Sequence, residues 1–458
     1  MMKKKKNIRF STVQLLAAGF LGIIFLGGLL LWLPISNTRP ISFVDALFTA
    51  VTAVCVTGLV TVTPAVQFTL FGKSVLLILI QIGGLGIIAC VTAFFLIMRR
   101  RISLKERVII QESYSMDSLA GMVAMVIRIL KGTFVVEAAG AVLYAFQFIP
   151  EFGLLKGIGY SVFHAVSAFC NAGVDILGDS SFIRYAGNPL ISVTTMLLII
   201  LSGLGFPVWQ DLVQNLKRVW KKELTADRIW GKLRLHTKIV IVMTVLLIVT
   251  GALSFFVMEF ANPDTIGTMP LWKKMMNSAF HSISTRTAGF ATVPQGALEP
   301  ETMFTTCILM FIGGSPGGTA GGVKTTTIAM LCLACMTFIR GGQDTECFGR
   351  RIEMKYIRTG MCIVLFSFVV LIVGTTVVTA MEGDVSFIRV LYETTSAIGT
   401  VGLTADLTPQ LCTASKLVIM LLMYLGRIGP ITLALAFGAK KNQRDKIRRL
   451  PSEEIMVG

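Results

Sequence analysis

The apolar positions of this chain fall in long unbroken runs, not in the one-sided stripes of a soluble helix or the alternation of a strand. A bilayer core takes about 20 apolar residues in helical form. Eight stretches meet that requirement: 12–33, 70–98, 122–149, 187–213, 238–260, 302–339, 359–381 and 413–438. The first follows four lysines at 3–6, but at 22 residues, ending in Trp32-Leu33-Pro34 without a small-residue cleavage site, it is too long for a signal-peptide core. It predicts a retained span. Between each odd and even stretch lies a shorter apolar segment, at 41–56, 155–170, 270–284 and 385–398. These are too short to cross and predict re-entrant helices.

A polar stretch with a glycine follows each short segment: AVCVTGLV (53–60), AFCNAGVD (168–175), STRTAGFA (284–291) and AIGTVGLT (397–404). Gly58, Gly173, Gly289 and Gly402 are separated by 115, 116 and 113 residues, an internal repeat running the length of the chain. Phe48, Phe163, Phe280 and Tyr392 precede them by nine to ten residues, the third copy being one residue shorter. The predicted fold is an all-α integral membrane protein. Four pseudo-repeated units of span, pore helix, filter loop and span surround a central pore, giving eight spans and four re-entrant helices. The units divide at 1–115, 116–235, 236–355 (with a broken sixth span) and 356–458, the last ending in a basic cytosolic tail.

Composition agrees with this reading. The chain is 54% apolar and 15% charged, with mean hydropathy +0.75, whereas soluble domains carry about 25% charged residues. A net charge of +17 would suggest nucleic-acid binding in a soluble protein. Here 33 of the 42 Lys and Arg lie in 1–11, 99–131, 217–238, 324–358 and 427–458. By the positive-inside rule that side, with both termini, is cytoplasmic, the glycine loops face outward, and the charge orients the chain instead of binding a polyanion. The nine cysteines form no disulfide framework. Cys332 and Cys335, in a helical apolar run, are packed thiols.

Irregular backbone survives at membrane depth only where it is buried in protein or lines a water-filled cavity. Four such loops around an axis form a ring of carbonyls able to replace the hydration shell of a monovalent cation. The candidate ring residues are Val56, Thr57 and Gly58; Asn171, Ala172 and Gly173; Thr287, Ala288 and Gly289; and Thr400, Val401 and Gly402. The fourth set matches the start of the TVGYG potassium filter. A monovalent cation is the expected substrate, held by backbone carbonyls only, with no resident metal or cofactor. The spans are nearly empty of catalytic side chains, which argues against an enzyme.

The sixth stretch contains Gly313-Gly314-Ser315-Pro316-Gly317-Gly318-Thr319-Ala320-Gly321-Gly322, which cannot hold a helix. A Walker A loop is excluded, because Val323 stands where its lysine belongs and no strand precedes it. The readings are a passive kink or a flap across the pore, with Lys324 just after it. Arg427, deep in the last stretch, points to an ion path or an acidic partner. Glu137 is either an ion-coupling carboxylate or a partner of Arg128 or Lys131. His164 and His281 read as helix packing. Asp175 and Asp179 either concentrate cations at the mouth or are solvated. Arg286 is expected to brace the third loop through hydrogen bonds.

The motifs VTGL (56–59), NAGV (171–174), STRTAGF (284–290), TVGLT (400–404), the glycine-rich flap and Gly426-Arg427-Ile428-Gly429-Pro430 resemble the Trk/Ktr/HKT superfamily of potassium transporters, in its KtrB-type membrane subunits. The resemblance implies a single-file potassium path with filter carbonyls from the four loops, four glycines favouring potassium over sodium, and a flap and pore-facing arginine forming a gate. It further implies potassium uptake across the plasma membrane by a homodimer docked on a separate cytosolic ring of nucleotide-binding RCK-type subunits, with sodium as an activator. Segments 99–121 and 214–237 are the expected docking faces. A TrkH-like proton- or sodium-coupled symporter, or a sodium-translocating subunit, are the alternatives.

Overall fold

The computed structural model describes residues 12–86, 89–90, 122–178 and 180–429. Asp179, segment 99–121 and the C-terminal tail therefore lie outside the described residues. Fourteen principal helices carry the fold. They are α1 (Thr12–Trp32), α2 (Phe43–Cys55), α3 (Leu70–Leu85), α4 (Met122–Phe152), α5 (Leu154–Phe169), α6 (Pro189–Leu204), α7 (Phe206–Trp220), α8 (Leu235–Met258), α9 (Leu271–Ser284), α10 (Pro300–Phe311), α11 (Thr325–Ile339), α12 (Met354–Glu382), α13 (Phe387–Gly399) and α14 (Thr413–Ile428). Two-residue strands Glu346–Cys347 and Arg350–Arg351 form a small antiparallel hairpin.

The order long helix, short helix, loop, helix occurs four times. The short helices α2, α5, α9 and α13 match the predicted re-entrant segments within a few residues at each end. Each packs against the long helix before it. Each also receives the last helix of the preceding unit: α3 on α5, α6 on α9, α10 on α13, and α14 back on α2. The fourth contact closes the order into a ring. The core sits around these short helices, whose C-terminal turns are buried on all sides; every residue from Phe48 to Cys55 is buried.

Helix ends follow from local chemistry. The Ser42 side chain caps α2 by accepting from the Asp45 amide at 3.1 Å, and Asn188 caps α6 the same way ahead of Pro189, satisfying amides that a helix start leaves unpaired. One expectation is corrected. The sequence predicts continuous second and fourth stretches, yet α3 and α6 stop at Gly86 and Gly205. Their backbones, φ/ψ 84°/143° and 90°/147°, are shared by Gly429 after α14, at 85°/142°. Essentially only glycine takes that conformation without strain. After Gly205 the chain bends by 96° into α7.

Only α8 and α12 are, among the described residues, single helices long and apolar enough to cross a bilayer alone; the α6–α7 pair passes only as a bent unit. The sixth stretch is divided as its glycines require, with α10 ending at Phe311 and α11 starting at Thr325.

Candidate functional site

The structure brings the four loop glycines together. A Cβ added to Gly58 would lie 2.7 Å from the Ala172 carbonyl oxygen, 3.1 Å from the Gly402 Cα and 3.2 Å from the Gly173 Cα. One on Gly173 would lie 2.6 Å from the Ala288 oxygen. One on Gly289 would collide with the Val401 oxygen, and one on Gly402 with the Thr57 oxygen. Each glycine thus abuts the carbonyl preceding the glycine of the next unit, and the fourth returns to the first. No side chain fits inside this ring.

The backbone within each loop alternates in hand. Val56, Asn171, Thr287 and Thr400 have φ of 53°, 58°, 73° and 52°, and two residues on, Gly58, Gly173, Gly289 and Gly402 have φ of 99°, 63°, 79° and 99°. In an extended strand successive carbonyls point to opposite sides. Alternating the sign of φ turns them to one side and their amides to the other. The amides of Thr57, Ala172, Ala288 and Val401 are accounted for, donating at 2.8–2.9 Å to the carbonyls of Thr52, Ser167, Ser284 and Ser396. No carbonyl of the twelve ring residues accepts a hydrogen bond among the described residues. The short helices end immediately before the loops, so four negative helix ends, each about half a charge, converge there.

Thr52, Ser167, Ser284 and Ser396 escaped the sequence reading. Thr52 and Ser396 accept through their hydroxyls from the amides of Gly58 at 2.9 Å and Gly402 at 3.0 Å. Ser167 and Ser284 donate theirs to the carbonyls of Val174 at 2.6 Å and Phe290 at 2.5 Å. The signal was present: each hydroxyl stands four residues after the repeat aromatic, and the missing residue of the third copy falls between Ser284 and Gly289.

On one side of the ring an open vestibule of about 890 Å³ is lined by all four glycines, with Asp175 and Asp406 in its wall. Asp175 accepts from the Leu177 amide at 3.2 Å. Beneath the fourth loop, Glu393 is fully buried and accepts from Thr404 Oγ1 at 2.5 Å, Thr408 Oγ1 at 2.6 Å, and the amides of Ala405 at 3.0 Å and Leu407 at 3.3 Å. Stranding a buried donor costs about 1–3 kcal/mol. Glu393→Ala, which strands four, is therefore expected to lower the thermal unfolding temperature of the detergent-solubilised protein by several degrees. An unchanged melting curve would contradict this bracing role.

On the other side lies the glycine-rich stretch between α10 and α11. Its neck is closed by the Gly313 amide donating to Val323 O at 2.8 Å, and Gly321 packs directly against the Thr400 side chain. Its tip is tied to the second unit: Ser315 N donates to Gly203 O at 3.0 Å, Phe206 N to Gly317 O at 2.9 Å, and Thr319 Oγ1 to Phe169 O at 3.3 Å. Gly318 approaches the Ser202 carbonyl so closely that a Cβ would lie 2.7 Å from it. Gly314 packs within the loop itself, against Ala320, and Gly322 lies between Gly313 and the Gly399 carbonyl at the end of α13. Lys324 Nζ caps the loop from within, donating to Ala320 O at 2.6 Å and Gly321 O at 3.2 Å. Arg427 joins the loop to the first unit, donating through Nη1 to Thr319 O at 2.5 Å and through Nη2 to Gly83 O. Its partners are carbonyls, not an acid.

The remaining candidates settle by geometry. Glu137 is buried and accepts from Gln81 Nε2 at 3.1 Å, with the Cys170 thiol 3.9 Å away. Among the described residues no ion pair joins it to Arg128 or Lys131, and Arg128 bonds back to its own helix at Ala124 O. His164 bonds the Tyr160 carbonyl at 2.7 Å, and His281 bonds Thr306 Oγ1 at 3.0 Å while stacking on Phe255, both as packing residues. Arg286 departs from expectation: it reaches Thr244 Oγ1 on α8 at 3.4 Å and leaves its own loop unbraced. The loop is held instead by the Ser284 carbonyl, which accepts from the Ala288 amide at 2.9 Å, and by the Ser284 hydroxyl, which donates to Phe290 O.

The TrkH family model, described as a cation transport protein, matches residues 6–449. The Ktr system potassium uptake protein B of Bacillus subtilis is 36% identical over 453 residues, covering 99% of this chain and 98% of that protein. The potassium/sodium uptake protein NtpJ of Enterococcus hirae is 38% identical over 464 residues, covering 100% and 99%. The crystal structure of the potassium transporter TrkH from Vibrio parahaemolyticus shares the fold, with a TM-score of 0.72 at 15% identity, over 95% of this chain and 86% of that one. These are transporters, not enzymes. With its family match and full-length similarity to Ktr system proteins, the chain belongs to the TrkH family of cation transport proteins as a KtrB-type member of the Trk/Ktr superfamily.

Proposed function

We propose that the chain mediates potassium uptake across the plasma membrane, along the axis of the four glycine loops. The observation that carries this reading is the cyclic contact of Gly58, Gly173, Gly289 and Gly402, each against the carbonyl before the next. Loop carbonyls free of hydrogen bonds can replace an ion's water shell, and the vestibule with Asp175 and Asp406 supplies cations to them. In this reading eight spans and four re-entrant helices surround the path, and both termini face the cytoplasm. An inward-negative potential supplies about 2.3 kcal/mol per charge per 100 mV, enough to accumulate potassium without nucleotide hydrolysis by this chain.

The glycine-rich stretch acts as the gate. Its contact with Thr400 and its tie to Arg427 support a loop that closes the path below the ring. The names of the relatives point to a Ktr system with more than one component. The partner is a cytosolic RCK-type ring docking on a homodimer through 99–121 and 214–237, with sodium promoting transport. The coupled-symport reading needs a titratable group in the path, and the bonding of Glu137 to Gln81 and Cys170 does not favour it.

The test is expression in a bacterial strain lacking its own potassium uptake systems. Restored growth at low potassium, with faster uptake when sodium is added, is expected. Membrane-inserted protein giving neither growth nor potassium uptake would overturn the proposal.

A further inference from the structure

A groove of about 820 Å³ lies between α4 and α7, away from the glycine ring. One face of α4 supplies Met125, Arg128, Ile129 and Gly132, spaced three and four residues apart. One face of α7 supplies Phe206, Trp209, Gln210, Val213, Gln214 and Lys217 at the same spacing. Such spacing places side chains on one side of each helix. The floor is apolar: Met125, Ile129 and Phe206 are buried, and the Trp209 ring stands over Gly132, where a Cβ would lie 3.3 Å from it. The Trp209 indole nitrogen is already used, donating to Leu201 O at 2.7 Å, so its ring is available as a wall.

The rim is cationic. Arg128 and Lys217 are exposed, and among the described residues neither meets a carboxylate. The acid of α7, Asp211, lies on the opposite face, accepting from Thr237 Oγ1 at 2.7 Å and the Arg234 amide at 2.9 Å. Beyond the groove α7 exposes Leu216 (56%) and Trp220 (89%). Apolar side chains, a tryptophan and basic residues together on a helix bent out of the span direction suit the membrane–water interface. An apolar slot with two cations at its mouth, unpaired among the described residues, matches an amphiphile with a negative head, and basic pockets between membrane helices hold such head groups.

We propose that this groove binds an anionic phospholipid, with its phosphate between Arg128 and Lys217 and an acyl chain along Met125, Ile129, Phe206 and Trp209. The groove lies apart from the glycine ring, and the proposal does not rest on the transport reading. Its floor residue Phe206 also meets Gly317 of the glycine-rich stretch, and Lys217 falls within the proposed docking segment 214–237, so the test uses the chain without a partner ring.

Full-length protein in bilayers of phosphatidylcholine is mixed with brominated phosphatidylglycerol or brominated phosphatidylcholine at equal mole fraction. Trp209 fluorescence is read as the difference between the protein and its Trp209→Phe variant. Quenching by the anionic lipid at several-fold lower mole fraction is expected. The Arg128→Gln/Lys217→Gln variant should lose about thirtyfold in apparent affinity, two basic contacts being removed. The Arg128→Lys/Lys217→Arg variant should keep the preference, which separates loss of charge from misfolding. Glycerol phosphate should not relieve the quenching, because the chain as well as the head is bound. Equal quenching by the two lipids, preference surviving in the glutamine variant, relief by glycerol phosphate, or no quenching because another segment fills the groove would each overturn the proposal.

Discussion

Gly58→Ser is expected to lower the potassium-to-sodium flux ratio by about tenfold or more, which corresponds to about 1.4 kcal/mol of lost discrimination. Two effects add at this residue. Its φ of 99° is strained for any residue with a Cβ, at a cost on the order of 1–3 kcal/mol. The added atoms would also meet the Ala172 oxygen and the backbones of Gly173 and Gly402. The first and second loops must part, and their carbonyls then hold a potassium ion less closely. Tracer fluxes of rubidium and sodium in proteoliposomes measure the ratio. An unchanged ratio in a folded variant would remove the ring from the selectivity account.

Arg427→Ala is expected to raise basal flux by about tenfold. A hydrogen bond from a charged donor contributes about 1.5–3 kcal/mol, and Arg427 holds the loop through Thr319 O while anchored on Gly83 O. Losing this tie shifts a closed-to-open balance by about one decade for each 1.4 kcal/mol. Removal of residues 317–322 should act in the same direction, because it takes away the contacts with Phe206 and Thr400. The check is tracer uptake by the purified chain without any partner. Flux as low as that of the parent, in variants that elute as folded protein, would make the stretch a passive kink.

The sequence carried the repeat and therefore most of the site. Glycines 113–116 residues apart after short apolar segments located the four loops, and the glycine run located the broken helix. What it did not carry is whatever depends on the folded path of the chain, within a unit or between units. Arg427 and Gly83 are 344 residues apart, and nothing local to either announces the bond. Glu393 reads as one acid in a short helix, and only the folded second half of its own unit supplies its four donors. The breaks at Gly86 and Gly205 were hidden because an apolar run interrupted by two or three glycines is still long enough to read as one span; the left-handed φ becomes visible only in three dimensions. The Arg286 expectation failed for a related reason. The bracing was done by Ser284, two residues earlier, through its own carbonyl.

The central claim is that the carbonyls around Gly58, Gly173, Gly289 and Gly402 hold the transported ion. Crystals grown with thallium in place of potassium test it most directly, through the anomalous scattering of the bound ion. The account predicts an anomalous peak on the axis, equidistant from the carbonyl oxygens of Thr57, Ala172, Ala288 and Val401, that is lost in Gly58→Ser. No peak on that axis, with thallium bound elsewhere in the chain, would contradict it.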